Sequence, residues 1–472
     1  MNVISSAELK SHNPPMNNSG KRTMTDLTKG DPLKVITLFA LPLFLSNILQ
    51  QLYNLTDIAI IGHVLGDDAL SAIGSVSTIY GFYNSLFFGM GSGFSLVTAK
   101  YFGAGDREGL KKVMGNTLIL FVAWAVLITS AGMISLKPIM TSLEIPEDIF
   151  DTAYGYISVM LSLAVFSFAY NVLSGTLRAI GNSRVPLYIL AVTVVLNIGL
   201  DLLFVYKLEL GLPGAAYATV ISQAVSALVC LLYILFNIPE LRIGTAHLRP
   251  DIRILADLFS SGIGFALMYT VVNLGTLVLQ GAINGMGKTV IAAHTTARKV
   301  SELCMMMVGT LANAMATYAG QNYGAGKIDR IREGLKKSLI FDFGIVLVLI
   351  LMVYTVGTRL IALISGSSNP EVLDTAAFYL KLDIPFYFVL CILLVTRSVL
   401  QGVGSKFVPI IASLVELILK VYTAKKLSLI LGYLGVAICE PATWLICAVF
   451  VLLVFRWRMN KISKELSSGS HY

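Results

Sequence analysis

The chain has 472 residues, of which 56% are apolar and only 13% are charged, and its mean hydropathy is +0.77. A soluble domain carries about a quarter charged residues, so this composition excludes an ordinary water-soluble globular protein. The formal charge of +8 does not indicate nucleic-acid binding, because the basic residues collect in alternate loops between apolar stretches.

Apolar stretches dominate the chain from residue 35 onward. Crossing a bilayer as a helix takes roughly 20 apolar residues, so these stretches predict an all-α, polytopic membrane protein with twelve transmembrane helices. The predicted spans are 35–62, 69–98, 116–136, 154–175, 186–206, 214–237, 255–283, 290–318, 338–364, 376–400, 407–432 and 434–455.

The polar segments between and beyond these spans divide the chain. We predict a flexible N-terminal tail (1–31), an N-lobe of spans 1–6 (32–240), a linker (241–254), a C-lobe of spans 7–12 (255–457) and a C-terminal tail (458–472). Most of the 35 lysines and arginines fall in both tails, the linker and the even-to-odd loops. By the positive-inside rule both termini and the linker are cytoplasmic, and the protein lies in the inner (plasma) membrane.

A glycine turn occurs twice, as YFGAG at Tyr101–Gly105 and as NYGAG at Asn322–Gly326. Three further pairs of segments match in the same order at 221 to 223 residues, among them LRAIGNSRVP at Leu177–Pro186 and LQGVGSKFVP at Leu400–Pro409. Four matches in one order indicate a duplicated six-span unit. The spans therefore form two pseudo-symmetric six-helix bundles with a central cavity between them.

Charged side chains inside the spans are costly and need an explanation. Glu416 and Lys420 are four residues apart on span 11, as are Arg298 and Glu302 on span 8, and this spacing predicts two local ion pairs. Asp342 lies near the start of span 9, where its side chain is expected to reach the interface. All five cysteines lie in apolar spans without C-x-x-C spacing, so neither a disulfide framework nor a zinc site is predicted.

Asp57, Asp201 and Glu440 have no neutralising neighbour along the chain. Asn197 and Asp201 are four residues apart and share one face of span 5. At ~1.5 Å per residue, Asp57, Asp201 and Thr219 lie at one depth, roughly 8–9 Å inside the outer boundary of the membrane. These oxygen-bearing groups suit a hard cation, and two close carboxylates also suit a proton, because like charges repel. A purely structural hydrogen-bond cluster is the alternative.

Several motifs carry a family resemblance. They are LPLFLSNILQQLYNLTDIAIIG in span 1, the two GAG turns, LRAIGNSRVP, NIGLD in span 5 and GVAICEPATW in span 12. With these motifs in this order, the chain resembles the multidrug and toxic compound extrusion (MATE) transporters from about Pro32 to Trp457. The resemblance implies a monomeric secondary active exporter, not an enzyme, that needs no cofactor besides its coupling ion and has no nucleic-acid partner.

The resemblance also implies where the functional residues lie. In one branch the coupling cation, Na⁺ or H⁺, binds in the N-lobe, which corresponds here to Asp57, Asn197, Asp201 and Thr219. Further residues are candidates for the substrate cavity: Gln50, Tyr53, Asn171, Glu302, Glu416 and Glu440. In another branch the acids are in helices 7 and 10, where this chain has only Asp257 and Asp383 near the ends of the spans. We therefore favour the N-lobe site.

The implied activity is efflux of cationic or amphiphilic small molecules across the lipid membrane in exchange for H⁺ or Na⁺. A flippase for a lipid-linked precursor is the alternative within the wider superfamily, and it would need basic residues along the cavity to hold a pyrophosphate. A membrane enzyme would need a reactive cluster, whereas the five histidines are scattered.

Overall fold

The computed structural model describes residues 25–366 and 369–467 and consists there of α-helices without any β-strand. Residues 1–24 of the predicted N-terminal tail and 468–472 of the predicted C-terminal tail lie outside the described residues. The helices are α1 (Pro32–Leu65), α2 (Asp67–Ala104), α3 (Arg107–Ser142), α4 (Glu147–Ser162), α5 (Ala164–Ala179), α6 (Arg184–Asp201), α7 (Gly211–Asn237), α8 (Ile252–Asn284), α9 (Lys288–Gly324), α10 (Ile328–Ser365), α11 (Pro370–Asp383), α12 (Tyr387–Gly402), α13 (Phe407–Tyr422), α14 (Ser428–Leu431), α15 (Tyr433–Ala437) and α16 (Cys439–Ser467).

The lengths and compositions of these helices make the chain a multi-pass membrane protein. In the described residues ten helical segments are long and apolar enough to cross a membrane, and α4 with α5, bent by 43° at their junction, makes an eleventh. The one predicted span without a match among these eleven segments is 69–98, which corresponds to α2. This helix has 38 residues but contains six glycines and six serines, and its composition is not apolar enough for it to be counted with them. The predicted all-α, polytopic fold is therefore confirmed.

Local sequence explains where several helices begin. Asp31 accepts a hydrogen bond from the backbone N–H of Lys34, and Pro32 occupies the first turn of α1, where its missing N–H costs nothing. Asp106 caps α3 in the same way through Gly109. The linker segment forms a short turn at Thr245–Leu248 before Asp251 caps α8.

The described apolar side chains pack into two large cores. One joins α2 to α5 with the start of α8, around residues such as Phe87 and Phe168. The other joins α9 to α13 with α16, around Tyr387 and Trp444. Each core belongs mainly to one half of the chain, so each duplicated unit encloses apolar surface of its own.

The two GAG turns lie where α2 crosses α9. A Cβ atom on Gly103 would collide with the backbone carbonyl of Gln321, and a Cβ atom on Gly324 would collide with the backbone carbonyl of Lys100. The contact is reciprocal, since each turn meets the helix that carries the other turn. Glycine is repeated at these two positions because the two halves of the chain touch there through backbone atoms.

Gly103→Ala is therefore expected to destabilise the protein by about 1–3 kcal/mol, the usual cost of overpacking a close contact. Thermal unfolding of the purified protein in detergent measures the effect. Gly81→Ala is the matched control on the same helix, because a Cβ atom there meets nothing within 4 Å. That control should be neutral or slightly stabilising. Equal melting temperatures for the two variants would contradict the close contact.

Residues 25–31 of the predicted tail pack against the same end of the bundle. Leu27 is fully buried, and its carbonyl oxygen accepts a hydrogen bond from the side-chain amide of Asn322 at 3.1 Å. Arg330 donates to the carbonyl oxygens of Lys29 and Gly30. The described part of the tail is thus held against the start of α10.

Candidate functional site

Two polar side chains lie at the end of α6. Asn197 and Asp201 are both fully buried, and the α-helix gives way to a wider π-helical turn, Leu202–Lys207, directly after them. Within the described residues, neither carboxylate oxygen of Asp201 nor either polar atom of the Asn197 amide has a hydrogen-bond partner. Buried polar groups are normally paired, so this pair is an exception that requires a functional or structural reason.

Asp57 on α1 meets Asp201 from the neighbouring helix. The two carboxyl groups lie next to each other, close enough for a hydrogen bond between them once one holds a proton. The structure describes no lysine, arginine or histidine in an ion pair with either acid. The sequence-based expectation that α1 and α6 bring these two acids together agrees with this placement.

Thr219 on α7 lies beside them, next to the buried hydroxyl of Tyr53 on α1. Both side chains, with the half-buried Asp57, line a cavity of about 340 Å³. Asn197 and Asp201 are not part of its lining. We call Asp57, Asn197, Asp201 and Thr219 the carboxylate site.

The cavity beside the carboxylate site is lined mainly by amides and aromatic rings. Gln50 and Asn171, both predicted for the substrate chamber, are among its lining residues. The sequence analysis missed the other polar contributors, among them Tyr80, Asn84, Tyr156 and Gln223. A signal for two of them was present, since Tyr80 and Asn84 are four residues apart and share a face of α2. No lysine or arginine is among the described residues that line this cavity.

The three acids predicted as substrate contacts in the C-lobe have different surroundings. Glu416 is buried and forms the predicted ion pair with Lys420, with 2.9 Å between Oε1 and Nζ. Glu440 is also buried, and it pairs with Arg298 at 2.5 Å and with Lys420 at 3.4 Å. Glu302 is exposed.

Two predictions about these charges were wrong. Glu440, expected to lack a neutralising partner, has two, and Arg298 pairs with Glu440 instead of with Glu302. The partner of Arg298 lies 142 residues away in sequence, on α16, so spacing along one helix could not reveal it. We call Arg298, Glu416, Lys420 and Glu440 the lysine cluster.

Asp342 does not reach an interface, contrary to the prediction. It is fully buried, and neither of its carboxylate oxygens has a hydrogen-bond partner in the described part of the chain. Asp383 is buried as well, but it accepts a hydrogen bond of 2.8 Å from the hydroxyl of Ser301. These two acids are separate from the carboxylate site, which involves α1, α6 and α7.

Comparison with known proteins decides the family. The MatE family model matches residues 42–203 and 265–424, about two thirds of the chain, in two blocks of similar length. The chain belongs to the MatE family. The two matched blocks fall one in each half of the duplicated chain.

Two curated relatives and one solved structure illustrate this MatE membership. The chain is 27% identical over 450 residues to the probable multidrug resistance protein YoeA of Bacillus subtilis (strain 168), covering 91% of this chain and 95% of the relative. It is 26% identical to the probable multidrug resistance protein YpnP of the same strain, covering 93% and 99%. A solved outward-facing conformation of a multidrug resistance MATE family transporter shares the fold, with a TM-score of 0.87, 24% identity, and 95% and 99% coverage. MatE proteins are transporters, not enzymes.

The chemistry of the carboxylate site fits a small hard cation. Its donors are two carboxylates, an amide and a hydroxyl, and oxygen donors suit Na⁺-like ions and protons instead of thiophilic metals. Among the described residues no group of three or more His, Cys, Asp or Glu side chains could hold a metal ion. The unpartnered oxygens of Asp201 and of the Asn197 amide would gain partners from a bound cation.

Proposed function

We propose that this MatE protein is a multidrug efflux antiporter that exports cationic or amphiphilic organic compounds in exchange for H⁺ or Na⁺ bound at the carboxylate site. It works as a monomer in the plasma membrane, with both termini in the cytoplasm. The names of its relatives support multidrug export as the activity. If the ion is Na⁺, Asp57, Asn197, Asp201 and Thr219 supply its oxygen ligands.

One observation carries the coupling part of this proposal, namely the adjacent carboxyl groups of Asp57 and Asp201 without a basic partner. Two like charges in a low-dielectric site repel each other. A proton or a metal cation that binds between them removes this repulsion and so lowers the free energy of packing α1 against α6. Because the two acids are on different helices, the ion favours one packing of the bundle over another. Coupling requires this unequal affinity for the two states.

The lining of the neighbouring cavity supports a cationic or neutral substrate. Its described residues include Asp57 and several tyrosines and amides but no basic side chain. A positively charged aromatic compound gains from the carboxylate of Asp57 and from ring faces, whereas a pyrophosphate would lack a counter-charge. The lipid-precursor flippase therefore has no supporting observation in this cavity.

Proteoliposomes that contain the purified protein test the proposed function. Ethidium export is expected to follow an imposed pH gradient or an imposed Na⁺ gradient, each applied alone, and to stop when both are collapsed. Liposomes without protein are the control for passive leakage. Export that continues without either gradient, or that depends on added ATP, would overturn the proposed coupling.

A further inference from the structure

Two residues of the lysine cluster lie at the second-half positions that correspond to two residues of the carboxylate site. The matched segments at Leu177 and Leu400 put Lys420 at the position of Asn197, 223 residues later. Another of the repeated pairs, LPGAAYATVIS at Leu212–Ser222 and YLGVAICEPAT at Tyr433–Thr443, puts Glu440 at the position of Thr219, 221 residues later.

The backbone gives an independent landmark for this correspondence. A π-helical turn, Leu202–Lys207, follows α6 directly, and a second π-helical turn, Thr423–Leu427, follows α13 directly. Such turns are rare and occur frequently at functional sites. Asn197 and Lys420 thus both lie within about one helical turn before the same unusual backbone feature, five and three residues ahead of it.

Lys420 is held in this position by contacts along its whole side chain. Its ammonium group lies 2.9 Å from Glu416 and 3.4 Å from Glu440, and the side chain is 3% exposed. The aliphatic part of Lys420 passes over Gly275 on α8, where a Cβ atom would lie 3.0 Å from Cδ. The glycine leaves room for the lysine stem beneath the two acids.

The charges of the lysine cluster balance within the described residues. Arg298 and Lys420 carry two positive charges, and Glu416 and Glu440 carry two negative ones. The nearby Asp383 is held separately by Ser301. The carboxylate site, by contrast, has two acids and no basic side chain of its own.

We propose that Lys420 is a built-in cation that fills the second-half counterpart of the carboxylate site, so that this counterpart binds a small monovalent cation from solution only when the lysine charge is removed. The comparison with a cation site rests on the proposed function, whereas the charge balance of the lysine cluster does not. The proposal explains why only one half of a duplicated transporter exchanges ions with solution.

Lys420→Met tests the proposal, because methionine keeps an unbranched stem and loses the charge. The variant is made in an Asp57→Asn background, which removes the first-half site from the measurement. Melting temperatures of the purified proteins are compared in choline chloride, sodium chloride and methylammonium chloride at equal ionic strength and pH 8. The Asp57→Asn parent should not respond to the cation. Lys420→Met should melt several degrees lower in choline and recover, saturably, in sodium or methylammonium.

Lys420→Met combined with Glu416→Gln is the matched control, because the charges of the cluster then balance again. It should melt near the parent and ignore the cation. A Lys420→Met protein that does not respond to either cation, or a control that responds equally, would overturn the proposal. If Lys420→Met does not fold, the balanced control is expected to fold, and its failure to do so would overturn the proposal too.

The protein that retains Asp57, measured in parallel, separates this proposal from the proposed function. If the melting temperature of that protein depends on the cation, and Asp57→Asn abolishes the dependence, the response comes from the carboxylate site alone. Its absence would count against Na⁺ as the ion bound at the carboxylate site and would leave the Lys420 result intact.

Discussion

Asp201→Asn is expected to reduce ion-driven export strongly while leaving the protein folded. Asparagine has nearly the same shape as aspartate, so the packing at the end of α6 is kept. It carries no charge, so Asp57 is left without a second carboxylate, and the repulsion between like charges that the coupling ion relieves is lost. The loss should reach the range of typical coupling free energies, on the order of 5- to 150-fold in gradient-driven export.

Stability should respond in the opposite direction. Asp201 is fully buried beside Asp57 and has no basic partner in the described residues. Neutralising it therefore leaves no buried positive charge without an ion-pair partner. The melting temperature of Asp201→Asn should equal or exceed that of the wild type. Ethidium export from proteoliposomes and thermal unfolding in detergent, measured on one preparation, distinguish lost coupling from lost folding.

The chain offers a matched control for this substitution. Asp342 on α10 is likewise fully buried with both carboxylate oxygens unpartnered in the described part of the chain, but it lies away from α1, α6 and α7. Asp342→Asn should therefore keep its export. If both variants lost export equally, any buried acid would matter, and the assignment of coupling to the carboxylate site would be wrong.

The frame of the fold could be predicted because it depends on patterns that the chain repeats. Apolar length gives the spans, and the repeated GAG turns give the duplication, since Gly103 and Gly324 are required by one reciprocal backbone contact. The meeting of Asp57 and Asp201 was also predictable. Both acids lie near the end of a span on the same side of the membrane, so counting residues places them at one depth.

The errors have a common physical cause, which is that long-range packing overrides local spacing. Arg298 and Glu302 are correctly spaced for a pair, but Glu440 on α16 presents a carboxylate to Arg298 across the helix interface. Asp342 was placed near an interface because its span was predicted to begin at residue 338. In the structure α10 begins at Ile328, so Asp342 lies about 21 Å along the helix, at ~1.5 Å per residue.

Arg298→Gln is expected to be among the most destabilising single substitutions in the second half of the chain. The Arg298 guanidinium is largely buried, with 18% of the side chain exposed, and pairs with Glu440, which is 6% exposed. Removing one partner of a buried pair leaves an uncompensated charge and costs about 3–5 kcal/mol. The expected result is a marked loss of monodisperse protein in size-exclusion chromatography and a lower melting temperature.

Two further variants show whether charge balance is the reason. Lys299→Gln changes the neighbouring residue, which is exposed, and should leave stability within about 0.5 kcal/mol of the wild type. Arg298→Gln combined with Glu440→Gln removes both charges and leaves Lys420 paired with Glu416, so it should recover most of the loss. The recovery follows because the cost of breaking a buried pair lies mainly in the charge left behind, not in the attraction that is lost. A double variant as unstable as Arg298→Gln would mean that the shape and hydrogen bonds of the arginine, and not its charge, hold α9 against α16.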